Sequence, residues 1–146
     1  RWLNMEEQYG RLSEEDKRDA LIVVDCDKFK EINDNYGHLA GDRALQYVAK
    51  VLKSSFRHTD IIGRIGGDEF CVYMEDVPAA DFVRDRCKQV LVSMGKMEEE
   101  FKLTLSIGVR MIHSNDKFEE LFQDADKAMY QSKRKGGGAI TLSLKS

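Results

Sequence analysis

The chain has 146 residues, of which 42% are hydrophobic and 34% charged, and its net charge is −3. That length fits one domain that can bury a core, and the composition is that of an ordinary globular protein. Mild acidity argues against a nucleic-acid groove, which needs a basic face, and no apolar run reaches the length of a bilayer span or forms a signal peptide.

Neither a nucleic-acid partner nor membrane contact is therefore expected of these residues. A nucleotide substrate stays open, because cations can neutralise its phosphates. Cys26, Cys71 and Cys87 are scattered and odd in number, which suggests no disulfide framework or zinc site and fits a reduced cytoplasmic setting. The chain opens on Arg1, as expected of a single domain over 1–146 cut from a longer protein whose own membrane attachment is open.

Residues 1–12 carry Trp2, Leu3, Met5 and Tyr9 at the spacing of a helix end, and 13–19 read as a charged loop. Ala20 to Val24 form an apolar run ending at Asp25, the pattern of a buried central strand. A short helix follows with Phe29, Ile32 and Tyr36 turned inward. A longer one over 39–56 places Leu45, Val48, Ala49, Leu52 and Phe56 on one face. Segments 61–65 and 70–74 flank Gly66-Gly67-Asp68-Glu69 as the arms of a β-hairpin.

Pro78 reads as a first-turn residue of the next helix, whose inward face is Val83, Cys87, Val90, Leu91 and Met94. Leu103, Leu105, Ile107, Val109 and Met111 alternate, so one face of that strand is expected to be buried. Asp116 and Glu119 have the spacing of a capping box. The helix after them turns Phe118, Leu121, Phe122, Ala125, Ala128 and Met129 inward. Gly136-Gly137-Gly138 stops it before a last edge strand over 139–143. The order implies an α+β fold, with a central, mostly antiparallel sheet flanked by helices.

Asp25 and Asp27 close the first strand at a sheet edge, where ligand sites form. The Asp-x-Asp spacing invites a calcium loop, but Phe29, Lys30 and Tyr36 occupy positions that need a ligand, a glycine and a glutamate. Asp25 alone would serve as a helix cap. Asp68 and Glu69 alter that balance. If the hairpin lies beside the first strand, Asp68 faces Asp25, and two converging carboxylates suit Mg²⁺, which keeps several water and phosphate ligands.

Arg64-Ile65-Gly66-Gly67-Asp68-Glu69-Phe70 resembles the signature of the GGDEF family, the catalytic domains of diguanylate cyclases. The resemblance extends over Asp25 to Asp34, Gly37 to Asp42, Leu105 to Val109 and Ala125 to Lys133, in order and at suitable spacing through roughly residues 20–138. It implies the fold of nucleotidyl cyclases and polymerase palms. It also implies condensation of two GTP into cyclic di-GMP and two pyrophosphates, with Mg²⁺ or Mn²⁺, two ions per active site. Each subunit would be a half-site, so activity requires a homodimer.

By the same resemblance, Asp25, Asp68 and the backbone carbonyl of Cys26 hold metal, and Glu69 assists the 3′-hydroxyl. The backbone of Phe29 together with Lys30 and Lys133 meets the phosphates, Lys30 acting in catalysis as well. Asn33 and Asp42 read guanine, whose N1–H and amino group are donors that a carboxylate can accept. Arg57 and Asp60, nine and six residues before Gly66, match the site where cyclic di-GMP inhibits many members. His38 matches a loop position, with a structural role.

Two departures stand out. The family's N-terminal block is missing apart from Arg1. Gly137 stands where the family carries an arginine, with Arg134 and Lys135 one turn earlier as substitutes. Restoring that arginine is expected to lower the KM for GTP with little change in fold. The rival reading is a silent GGDEF domain that binds GTP or cyclic di-GMP, which the intact acids disfavour and Gly137 favours. A cyclase making a mixed guanine–adenine product is disfavoured by Asp42.

Overall fold

A computed structural model describes residues 18–146. The elements in chain order are β1 (Arg18–Cys26), α1 (Phe29–Tyr36), α2 (His38–Ser55), β2 (Ile61–Arg64), β3 (Glu69–Val77), α3 (Ala80–Met94), β4 (Leu105–Ile112), α4 (Phe118–Arg134) and β5 (Ala139–Leu142). The helix expected within residues 1–12 lies outside the described residues, as does most of the 13–19 loop. Arg18 and Asp19, expected in that loop, already belong to β1.

The five strands form one sheet in the order β2-β3-β1-β4-β5. Three of its pairings are antiparallel, and β4 with β5 is parallel, bridged by α4. The expected mostly antiparallel sheet flanked by helices is therefore present. β1 lies at the centre because its apolar run can be covered on both faces. Ala20, Ile22, Val24 and Cys26 pack against α1, α2 and α3, while Leu21 and Val23 pack against Leu121, Ala125 and Met129 of α4. Cys26 and Cys87 are buried, Cys71 is half-buried, and all three are free thiols. Among the described residues, no helix is long and apolar enough to cross a membrane.

The strand β4 departs from its alternating pattern. Both of its faces are buried, because α4 covers Ser106, Gly108 and Arg110 as fully as the other helices cover Leu105, Ile107, Val109 and Met111. Alternation in the sequence marks one apolar face, but it does not show that polar residues on the other face find partners. Here they do. Arg110 is 3% exposed. It donates through Nε to Asp124 at 3.0 Å and through Nη1 to Asp116 at 3.0 Å. Gly108 is what lets α4 come so close. A Cβ there would collide with the Ala125 carbonyl and the Met129 amide of the helix backbone.

Four smaller expectations are corrected. Pro78 precedes the N-cap Ala79 of α3 and so lies outside its first turn. Asp116 does not cap α4, whose N-cap is Lys117 without a side-chain bond; it accepts from the His113 amide and from Arg110 instead. Phe118 is 71% exposed at the first position of α4, ahead of the stripe that meets the sheet. Tyr36 is 44% exposed, its ring lying against Phe101 with centroids 5.2 Å apart rather than in the core.

Gly108→Ala should force α4 off the sheet, since neither backbone can yield. The expected loss is about 3 kcal/mol, the upper part of the range for overpacking. Thermal melting would show it as a fall in Tm of about 10 °C, and a Tm within a degree of the parent would contradict this account of the β4–α4 contact.

Candidate active site

The antiparallel register brings distant segments to one end of the sheet. Asp25 is opposite Glu69 on β3 and opposite Ser106 on β4, and Ser106 is opposite Ala139 on β5. The Gly66–Asp68 turn therefore lies beside the end of β1. The Cys26 amide fastens it there by donating to the Asp68 carbonyl at 3.1 Å. Arg64 closes the turn from its other side, donating through Nε to the Gly66 and Gly67 carbonyls, 3.1 Å each. The sequence signature contained Arg64 without suggesting this task.

Asp25, Asp68 and Glu69 lie near enough to feel one another's charge, though among the described residues no three acidic, histidine or cysteine side chains are grouped as a metal site. Burial raises the Asp25 carboxyl above its ordinary range; Lys133 opposes the rise, and Asp68 and Asp27 add to it. Glu69 is also raised, first by burial and then by Asp126, Asp25 and Asp68. Like charges held together in a half-buried place raise one another's proton affinity, and oxygen donors of this kind suit a hard divalent ion such as Mg²⁺. Lys133, in the last turn of α4, points into the same cluster, with Nζ 3.4 Å from Oδ1 of Asp25 and 3.4 Å from Oδ1 of Asp27.

Asp27 proves to be the anchor of this end of the sheet. Its Oδ2 accepts from the Thr104 hydroxyl at 2.7 Å and from the Gly138 amide at 2.9 Å. Its Oδ1 accepts from the Ser106 hydroxyl at 2.6 Å. Lys28, in the left-handed region at φ 54°, makes the turn from Asp27 into α1. The Asp25-x-Asp27 spacing and the family-like block around it point toward metal rather than toward this network. Asp126, the largest charged influence on Glu69, had no individual signal beyond its place in a family block.

The remaining predicted residues fall into three places. Phe29 is partly buried against the core at the start of α1. Lys30 is exposed, and its ammonium makes no hydrogen bond or ion pair among the described residues, so it is not drawn into the acidic cluster. Asp42 opens onto a pocket of about 390 Å³ between α2 and the hairpin, with Leu45, Ile62, Gly63, Arg64 and Phe70 in its wall. Asn33 is half-buried on α1 and packs on Gly41, the residue before Asp42. His38 is the exposed first residue of α2.

Arg57 and Asp60 meet away from the acidic cluster. Asp60 is turned inward and its carboxylate is held by Arg57, through Nη2 at 2.8 Å and through the backbone amide at 2.8 Å. Arg57 also donates to the Glu75 carbonyl at 2.7 Å and lies over the Phe82 ring, 5.5 Å from its centroid. The pair thus ties the end of α2 to β3 while leaving part of the guanidinium in solvent.

The diguanylate cyclase GGDEF-domain model matches residues 3–139. This chain belongs to that family. Diguanylate cyclase A of Treponema denticola is 38% identical over 148 aligned positions, covering 97% of the chain and 40% of that protein. The chain thus spans less than half the length of that curated relative. The GGDEF domain of PA1120 (YfiN or TpbB) from Pseudomonas aeruginosa superposes with a TM-score of 0.83 at 31% identity, covering 94% of each chain. The GGDEF domain of DgcB from Caulobacter crescentus, in complex with c-di-GMP, gives a TM-score of 0.81 at 26% identity, covering 97% of this chain and 88% of that one. The family implies the use of a divalent metal.

The geometry also corrects the expectation for position 137. Gly137 has φ +79°, and a Cβ built on it would lie 2.5 Å from Oδ2 of Asp27. Any side chain there is strained and collides with the anchor carboxylate. Lys135, one of the two expected substitutes, lies with Nζ 3.3 Å from Oγ1 of Thr141 on β5. Gly137→Arg should therefore lower stability by about 2 kcal/mol, the cost of left-handed backbone at a non-glycine residue plus displacement of Asp27. Gly137→Ala should lose a similar amount. Melting of both variants checks this, and parental stability of Gly137→Arg would return the site to the family's arrangement.

Proposed function

We propose that the chain is the catalytic domain of a longer signalling protein and condenses two GTP molecules into cyclic di-GMP. The observation that carries this reading is the convergence of Asp25, Asp68 and Glu69 with Lys133 at one sheet end, beside a pocket that carries Asp42. Sequence distance separates these residues, and the sheet register removes it. A silent binding module gives no reason for holding three carboxylates together against their repulsion.

In this reading Asp42 and Asn33 hold the guanine. The triphosphate lies along the amino end of α1, where the Phe29 and Lys30 amides have no helical acceptor, and reaches toward Lys133. Gly67 supports this placement: it has neither a positive φ nor a neighbour that a Cβ would meet, so the protein itself does not require glycine there. A ligand approaching the turn does. Asp25, Asp68 and the Cys26 carbonyl would hold two divalent ions, Mg²⁺ or Mn²⁺. Such ions, when bound, neutralise phosphate oxygens and acidify a hydroxyl.

The 3′-hydroxyl of one GTP attacks the α-phosphorus of another, its proton passes to a carboxylate, and the bond to pyrophosphate breaks. Glu69 suits the proton transfer because its surroundings raise its proton affinity. Repeating the step on the partner's nucleotide closes the ring, so two copies of the domain must face each other. Lys133 leaves its two carboxylates for the phosphates, where a compact cation is matched to a triphosphate.

Incubation with GTP and Mg²⁺ should give cyclic di-GMP and two pyrophosphates per ring, identified by mass spectrometry. Asp68→Ala should lower the rate by about 10²-fold or more with an unchanged Tm, as loss of a charge-stabilising group does. GTP binding without product would favour the silent module instead.

Product inhibition is placed at Arg57, whose exposed guanidinium edge can pair a phosphate or stack on guanine. Because Asp60 already holds Arg57, the product must bind on that solvent side or displace the carboxylate. Arg57→Ala should raise the concentration of cyclic di-GMP needed for half-inhibition about tenfold or more, the loss of one charge-assisted contact. Equal sensitivity in both proteins would remove this site.

A further inference from the structure

The α1–α2 corner holds a glycine that local structure does not explain. Gly41 lies buried in the second turn of α2, where its φ is ordinary and alanine would make the better helix. The reason is across the corner. A Cβ on Gly41 would fall onto Oδ1 of Asn33 and within 3.0 Å of its Cγ, with the Phe29 ring at 3.1 Å. The two helices are joined by Gly37 alone, whose amide donates to the Asn33 carbonyl at 2.9 Å and whose carbonyl accepts from the Gly41 amide at 3.2 Å. The corner cannot open to make room without breaking those bonds.

The Asn33 carboxamide makes no side-chain hydrogen bond among the described residues, although it is half-buried. Its place is therefore set by shape, by the hollow that Gly41 leaves in the face of α2. That hollow adjoins Asp42, the residue after Gly41 and part of the pocket wall.

We infer that Gly41 is a positioning residue for base recognition, seating the Asn33 carboxamide on α2 where it can reach the ligand held at Asp42. This rests on the reading above that Asn33 contacts guanine. The Asn33 carboxamide is by far the closest group to a Cβ at 41, with the Phe29 ring further off, so most of the effect of a side chain there must vanish when the carboxamide is gone. A glycine needed for packing alone would not show that dependence.

The test is a double-mutant cycle on equilibrium binding of a GTP analogue with an α,β-methylene bridge, which cannot release pyrophosphate, in the presence of Mg²⁺. Gly41→Ala and Asn33→Ala are each expected to weaken binding about tenfold, the loss of one hydrogen bond to a polar base edge. The double variant should bind within about twofold of Asn33→Ala, since the group that Cβ displaces is already absent. Its Tm should exceed that of Gly41→Ala, because the collision with the carboxamide is relieved.

Parental affinity for Gly41→Ala, with Asn33→Ala weakened, overturns the inference and leaves the reading of Asn33 standing. Parental affinity for Asn33→Ala overturns that reading, and the inference with it. Additive losses show that Gly41 acts by another route and overturn the inference alone. If Gly41→Ala does not fold, the double variant decides: it should fold, and a double variant that also fails shows that the glycine serves packing.

Discussion

One carboxylate organises the end of the sheet on which everything else depends. Asp27 is the first residue past β1, and it takes hydrogen bonds from Thr104 and Ser106 at the start of β4 and from Gly138 at the start of β5. Three segments far apart in the chain are gathered on two oxygen atoms. Hydrogen bonds to an ionised acceptor are stronger than neutral ones, and the half-buried setting reduces competition from water. Asp25 sits two positions before this anchor, and Lys133 reaches the cluster from the last turn of α4. The geometry of this end of the sheet is thus held by Asp27 rather than by the acidic cluster itself.

The same network explains the glycine run after α4. An arginine at position 137 and the close seating of Asp27 against the turn are incompatible arrangements. The chain has the second. The two lysines proposed for the phosphates then differ: Lys133 is already engaged with two carboxylates, and Lys30 is exposed with no partner among the described residues.

Much of this was legible in the residues. The apolar run of β1, the hairpin around Gly66 and Gly67, and the helical faces of α2, α3 and α4 followed from periodicity, since burial on one face leaves a repeating trace. The acidic cluster was legible through ordered motifs that resemble those of the family. What stayed hidden depended on partners distant in the chain. Arg110 looked like the polar side of an alternating strand, yet Asp116 and Asp124 make it a buried clamp. Asp116 had the spacing of a cap, but a buried guanidinium competes for the same oxygens. Gly41 and Gly108 lay within family-like blocks but gave no sign of their task, because a missing side chain shows its purpose only once the neighbour that fills the space is known.

The two borders of the sheet carry a consequence for how copies of the chain can meet. β2 and β5 are four residues each, the shortest strands present, and they are the edges. Short edges offer few unpaired amides and carbonyls to a foreign strand, which discourages joining of sheets end to end. Copies that approach and part repeatedly, as the proposed reaction requires, are better served by such borders than by long sticky ones. Contact between them is then left to side-chain surfaces, where association can be adjusted by charge and shape.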